Sequence, residues 1–172
     1  MPLLEQQQKI RVAALGTFVA ADAFRTDNRI GDRTLRTVGW NFARHFLGLI
    51  ETNVPESEVT IWTLGYTAGD RWIFDETSGR ARSLVYLAYI HRLMELGDQG
   101  TCHLNGQSNL AYLRSPQDQK QWGVHWFVNN DREWIIGAAQ VPHPALDWRS
   151  GSRLFAGAAI PHNAGRATSV SN

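Results

Sequence analysis

Between Leu3 and Phe24 the chain passes from a polar start, Glu5 to Lys9, into Val12-Ala13-Ala14-Leu15 and Phe18-Val19-Ala20-Ala21. This Ala-rich apolar stretch predicts a buried helix. A buried strand over Ile10 to Leu15 is the competing reading. Running into Gly16-Thr17 and pairing in parallel with Val59 to Leu64, that strand would open a nucleotide-binding α/β unit, although no Gly-rich fingerprint comes after it. Thr26 to Asp32 is polar and turn-rich, and Asp32 is suited to cap a helix starting at the next residue. Leu35, Val38, Phe42, Phe46, Leu49 and Ile50 then recur at three- and four-residue steps, predicting a second helix from Arg33 to Glu51.

Asn53, Pro55 and Ser57 end that pattern, and Val59-Thr60-Ile61-Trp62-Thr63-Leu64 is rich in the β-branched and aromatic residues that favour a strand. Thr67-Ala68-Gly69-Asp70 reads as a turn and Arg71-Trp72-Ile73-Phe74 as the returning arm of a hairpin. Ala81 to Leu96 predicts a third helix with Leu84, Leu87, Ala88 and Ile90 among its apolar positions, stopped by Gly97. Four strands come next: Thr101 to Asn105, Asn109 to Leu113, Trp122 to Val128 and Glu133 to Val141. Asn129-Asn130-Asp131 joins the last two as an antiparallel hairpin. Pro142, Pro144 and Pro161 punctuate the tail, leaving Arg153 to Ile160 for a last short element. This order predicts an α+β fold in one domain over residues 1–160, with a flexible tail at 161–172.

Composition narrows the function classes. Seventeen basic against sixteen acidic residues, with no charge block, leave no electrostatic footprint for nucleic acid. The 172 residues suffice for one packed core. A lone Cys102 offers neither an intrachain disulfide nor a multi-cysteine zinc site, which points to a reducing, cytoplasmic compartment. No apolar run reaches the roughly 20 residues of a membrane-spanning helix. Val12 to Ala21 behind Lys9 and Arg11 imitates a signal peptide, but Gly16, Thr17 and Asp22 dilute it.

Three short segments carry a family resemblance: Thr101-Cys102-His103-Leu104; His125-Trp126-Phe127 with Asp131 and Trp134-Ile135-Ile136; and Gly79-Arg80-Ala81. With the element order, they resemble the nuclear transport factor 2-like superfamily, which includes scytalone dehydratase and SnoaL-type polyketide cyclases. The resemblance implies a cone, with N-terminal helices packed on a strongly curved, mostly antiparallel sheet around an apolar pocket. It also implies a cofactor-free lyase or isomerase, such as a dehydratase or cyclase, acting on a hydrophobic or aromatic molecule, and a homodimer.

Within that frame His103 is the candidate proton carrier, since imidazole titrates near neutral pH, and Asp22 is the carboxylate that would set its tautomer. In a strand, His103 and Cys102 face opposite sides and cannot act as a pair. His125 shares a face with Gly123 and Phe127, opposite Trp122, Val124 and Trp126, and is a second catalytic candidate. Pairing Cys102 with His125 as a hydrolase has no supporting motif; a small buried hydrophobe is the plainer role for that cysteine. His91, His143 and His162 lack metal-ligand spacing, and His45 reads as a boundary residue. Trp40, Phe46, Trp62, Tyr66 and Trp72 are the candidate substrate lining, though aromatic residues at such spacings are more often core. The alternative of another class is a binding or assembly subunit without chemistry, dimerising through the Trp122–Trp126 stripe.

Overall fold

Eight strands form one open sheet covered on both faces, which is why its central strands are apolar at odd and even positions alike. The computed structural model describes residues 2–84, 86–143 and 146–157. In chain order the elements are β1 (Leu4–Val12), β2 (Leu15–Val19), α1 (Ala20–Ala23), β3 (Arg29–Ile30), β4 (Arg33–Val38), α2 (Trp40–Phe46) and β5 (Ile50–Val54). Beyond them come β6 (Ser57–Leu64), α3 (Asp70–Glu76), a 3-10 turn (Arg80–Arg82), α4 (Leu87–Leu96), β7 (Asn109–Arg114), β8 (Gln121–Val128), β9 (Trp134–Gln140) and β10 (Arg153–Gly157). The sheet order is β1-β6-β10-β7-β8-β9-β4-β3, antiparallel except at β10/β7 and β4/β9. An α+β, mostly antiparallel architecture is therefore present. No helix among the described residues is long and apolar enough to cross a membrane.

Alternation along the strands feeds two cores. Val59, Ile61, Ala111, Leu113, Trp126 and Phe155 join α4 on one face, whereas Trp62, Leu64, Leu110, Tyr112 and Leu154 join α3 and Trp148 on the other. The second core is organised by Asp70, the first residue of α3. Its buried carboxylate accepts hydrogen bonds from Tyr112 Oη–H (2.6 Å), Trp148 Nε1–H (2.8 Å) and the His143 backbone N–H (3.1 Å). Burial, together with the adjacent Asp70, pushes the Tyr112 phenol well above its ordinary value, so it stays a donor.

The N-terminal half corrects the sequence expectations. Residues 3–24 are two strands and one helical turn. β1 pairs with β6 antiparallel, with Ile10 opposite Val59, which removes the parallel pairing that the nucleotide-binding reading required. Lys9–Glu58 (2.8 Å) and Arg11–Glu56 (3.4 Å) ion pairs cross that seam. The stripe from Arg33 to Glu51 is a strand, a two-turn helix and a second strand. Leu35 enters the core from β4 and Phe42 and Phe46 from α2, and at Gly39 the chain runs so close to β9 that a Cβ there would lie 3.3 Å from the Gly137 Cα. Arg71 to Phe74 is helical in α3, not a hairpin arm; Trp62 pairs with Leu154 instead. The third helix begins only at Leu87, and Thr101 to Asn105 is not a strand.

The β8–β9 hairpin stands as expected, closed by Asn129 and Glu133. Arg153 to Gly157 is a strand, and the tail expected at 161–172 lies outside the described residues. Trp122 and Trp126 are buried in the first core, so their stripe offers no dimer surface.

Candidate functional site

A bent ribbon builds a cleft with an apolar wall. From Gln8 on, β1 and β2 face β6 and β5 in the same register: Val12 lies opposite Ser57 and, three residues on, Leu15 lies opposite Val54. The ladder is interrupted between them at Ala13-Ala14 and Pro55-Glu56. Pro55 has no N–H to give the ladder, and the small alanines oppose no bulk to a bend. The distal arm, β2 with β5, turns toward α4.

Two contacts tie the arm to that helix. Glu51 on β5 is buried, and its Oε1 and Oε2 accept the backbone N–H groups of Leu87 (2.8 Å) and Ala88 (2.9 Å). It thus caps the first turn of α4, which has no cap of its own from Tyr86. Burial raises the Glu51 carboxyl above its ordinary value against the pull of those two donors. Tyr89 Oη–H donates to the Pro55 carbonyl at 2.7 Å, beside the bend.

The space between arm, α1 and α4 is a cleft of about 660 Å³. Val12, Leu15, Phe18, Val54 and Ala88 give it an apolar wall, and Asp22, His91, Arg92 and Glu95 a polar rim. His91 is the group of chemical interest. Its ring packs against Phe18 (5.6 Å between centroids) and edge-on against Phe24 (5.4 Å), yet its side chain keeps 19% exposure toward the cleft. Desolvation lowers its pKa and neighbouring Arg92 adds to this, with Glu95 opposing, so the ring is neutral at pH 7. Nδ1 lies 3.7 Å from Glu95 Oε1, while Glu95 Oε2 accepts from Arg92 Nη1 at 3.1 Å. At 3.7 Å this contact is longer than a hydrogen bond, and the carboxylate's charge favours a proton on the nitrogen that faces it. The His-x-x-x-Glu spacing on one helix face is the signal available in the sequence.

The other candidates are dispersed. His103 is half-buried, with Nε2 donating to the Gly151 carbonyl at 2.7 Å and its backbone N–H donating to Asn109 Oδ1 at 2.7 Å. Desolvation and then Arg153 lower its pKa, against the Gly151 carbonyl. It borders a depression with Asp98 and Arg153, whereas Asp22 borders the arm cleft, so the two do not meet. His125 lies on the second-core face, its ring 5.6 Å from Trp148 and packed on Gly137, and burial lowers its pKa.

Cys102 is buried, its Sγ accepting from Trp126 Nε1 at 3.3 Å. Burial pushes the thiol up to about 12, which leaves it inert as a nucleophile. The five aromatic residues share no pocket: Phe46 sits in one core and Trp62 in the other, while Trp40 (78% exposed), Trp72 (67%) and Tyr66 lie at the surface. A comparison with protein-family models, curated proteins and solved structures finds no match.

Proposed function

We propose that the chain binds a small, mostly apolar or aromatic molecule in the arm cleft and that His91 moves a proton on it. The observation that carries this reading is a neutral, accessible imidazole set between phenyl rings at the rim of an apolar cavity large enough for a drug-sized molecule. The reaction class is cofactor-free proton transfer of the lyase or isomerase kind. Nε2 of His91 takes a proton from carbon next to a carbonyl, and Glu95 stabilises the imidazolium that results. The likeness to the nuclear transport factor 2-like superfamily, with its cone-shaped sheet and homodimer, belongs to this proposal. The α+β order and the aromatic β8–β9 hairpin support it, and His91 takes the role that the resemblance implies for His103.

The test is binding of 2-naphthol and deuterium exchange at the α-carbon of an aromatic ketone in D2O, monitored by NMR. Saturable binding that Ala13→Trp abolishes, with exchange that His91→Gln abolishes, is the expected outcome. Binding without exchange leaves a non-catalytic binding protein, and no binding refutes the proposal.

One observation favours the assembly reading. β2 and β5 pair only with each other among the described residues, and the arm exposes Leu15 and Ile50. A second copy of the chain docking there would give a dimer that Ile50→Lys dissociates in sedimentation velocity; a monomer at all concentrations excludes it.

A further inference from the structure

At the end of the sheet where β7 and β10 begin, two short loops border a cleft of about 340 Å³: residues 105–108, which lead into β7, and residues 149–152, which lead into β10. Each turns on a glycine with positive φ, Gly106 at +86° and Gly151 at +87°. The second loop is a β-turn, closed by Ser152 N–H on the Arg149 carbonyl at 3.1 Å, and a positive φ at its third residue is what the type II form requires. Its two ends, Arg149 and Ser152, are thereby neighbours at the cleft.

Both loops are held by the rest of the fold. The Gly151 carbonyl accepts His103 Nε2–H at 2.7 Å, and Gly151 N–H donates to the Leu64 carbonyl at 2.8 Å. Ser150 N–H donates to Thr67 Oγ1 at 3.2 Å and Ser150 Oγ–H to the Gly65 carbonyl at 3.0 Å. In the first loop, Gln107 N–H donates to Asn105 Oδ1 at 3.2 Å, and the Ser108 carbonyl accepts Arg153 N–H at 3.0 Å, which ties one loop to the other. The cleft is preformed, so a ligand does not have to order its walls.

Three side chains at this cleft are left for something outside the chain. Ser152 is 3% exposed, and its hydroxyl has no hydrogen-bond partner among the described residues. Its Oγ is not sealed off as Thr63 Oγ1 and Thr101 Oγ1 are, so the little surface it keeps opens to the cleft it borders. Phe127, half-buried on β8, gives the cleft an aromatic wall. Arg149 makes no ion pair or side-chain hydrogen bond among the described residues and is the one charged residue bordering the cleft. Asp147, two residues earlier, is directed away, its Oδ1 lying 3.0 Å from where a Cβ on Gly69 would stand, beside the start of α3. The cleft thus sets a positive charge and a free hydroxyl around an aromatic ring, with no carboxylate on its border to repel an anion.

We infer that this cleft binds a small aromatic carboxylate, its oxygens on the Arg149 guanidinium and the Ser152 hydroxyl and its ring against Phe127. A buried hydroxyl that no group of the chain engages adds nothing to the stability of the fold, and the carboxylate supplies the acceptor it lacks. Charge fixes the acid end and the ring contact selects an aromatic body over a short aliphatic one. This site and the arm cleft share no residue, and each stands or falls without the other.

The experiment is an NMR titration of the isotopically labelled protein with benzoate and, in parallel, with acetate, which lacks the ring, and benzyl alcohol, which lacks the charge. Benzoate is expected to shift the Gly106 and Gly151 amides saturably and to bind more tightly than either of the others. Arg149→Gln, an exposed change that spares the core, weakens benzoate by about tenfold or more, the worth of a charge-assisted hydrogen bond, and leaves benzyl alcohol unchanged. Ser152→Ala also weakens benzoate while melting at or above the native temperature. Benzoate shifts that are absent, unsaturable or indifferent to Arg149→Gln overturn the site. Acetate binding as tightly as benzoate overturns the role of Phe127, and a lowered melting temperature for Ser152→Ala makes its hydroxyl structural and removes it from the site.

Discussion

Glu51→Ala is the sharpest single perturbation of the arm. The carboxylate is buried and accepts two backbone N–H groups of α4, at 2.8 and 2.9 Å, so truncation strands two buried donors and removes the only side-chain cap seen on that helix. A buried donor left without an acceptor costs about 1–3 kcal/mol, and a lost cap about 1 kcal/mol. These overlap, because the cap is made of the same bonds, which places the total at about 2–4 kcal/mol. At about 2–4 °C per kcal/mol for a chain of this length, Tm falls by about 4–16 °C.

Glu51→Gln keeps one acceptor and turns an amide N–H on the other donor. Since burial already raises the pKa of the native carboxyl, removing the charge recovers part of the loss, and the cost is about 1–2 kcal/mol. Thermal melts give Tm, and hydrogen exchange reads the Leu87 and Ala88 amides directly. A Tm within about one degree of the native protein for Glu51→Ala, with both amides still protected, would refute the clamp.

Three further outcomes are expected. His103→Ala loses the bond to Gly151, lowering stability by about 1–2 kcal/mol while leaving 2-naphthol affinity unchanged; weakened binding at unchanged Tm would restore His103 to the site. Asp70→Asn keeps an oxygen for Tyr112 and Trp148 but sets an amide donor against the His143 N–H, costing about 1–3 kcal/mol in a denaturant titration; a neutral effect contradicts the network. His91, His103 and His125 all have folded pKa values below the ordinary one of about 6.5, so the unfolded chain binds more protons there and stability falls as pH drops below it. Glu51, with its raised value, acts in the opposite sense, so the pH series is run in Glu51→Gln; stability that rises from pH 6.5 to 5.5 in that variant contradicts the histidine directions.

What is legible in the sequence depends on where each signal lives. The β8–β9 hairpin can be read because its turn, Asn129 to Asp131, and its β-branched and aromatic strands are local. β1 is hidden because Ala13, Ala14, Ala20 and Ala21 favour a helix, while its partner β6 lies a long way down the chain. The stripe from Leu35 to Ile50 has helical spacing, but its first and last members reach the sheets as strands, separated by Gly39 and Gly48. Of the site, Asp22 is legible as a candidate and does border the arm cleft, although without His103. His91 escapes a sequence reading because its environment is made by Phe18, on the arm, and Phe24, at the end of α1, two side chains that only the tertiary fold brings to α4. His45 reads as a boundary residue until Ser115 and Asp118 arrive beside it from the β7–β8 connection.

The most direct measurement of the central claim is an NMR titration of the labelled protein with 2-naphthol, mapped onto assigned amides. Binding in the arm cleft predicts saturable shifts at Phe18, Val54, Ala88 and His91, with α3 and the β8–β9 hairpin unmoved. Shifts confined to the exposed Trp40 or Trp72, or none at all, would contradict it.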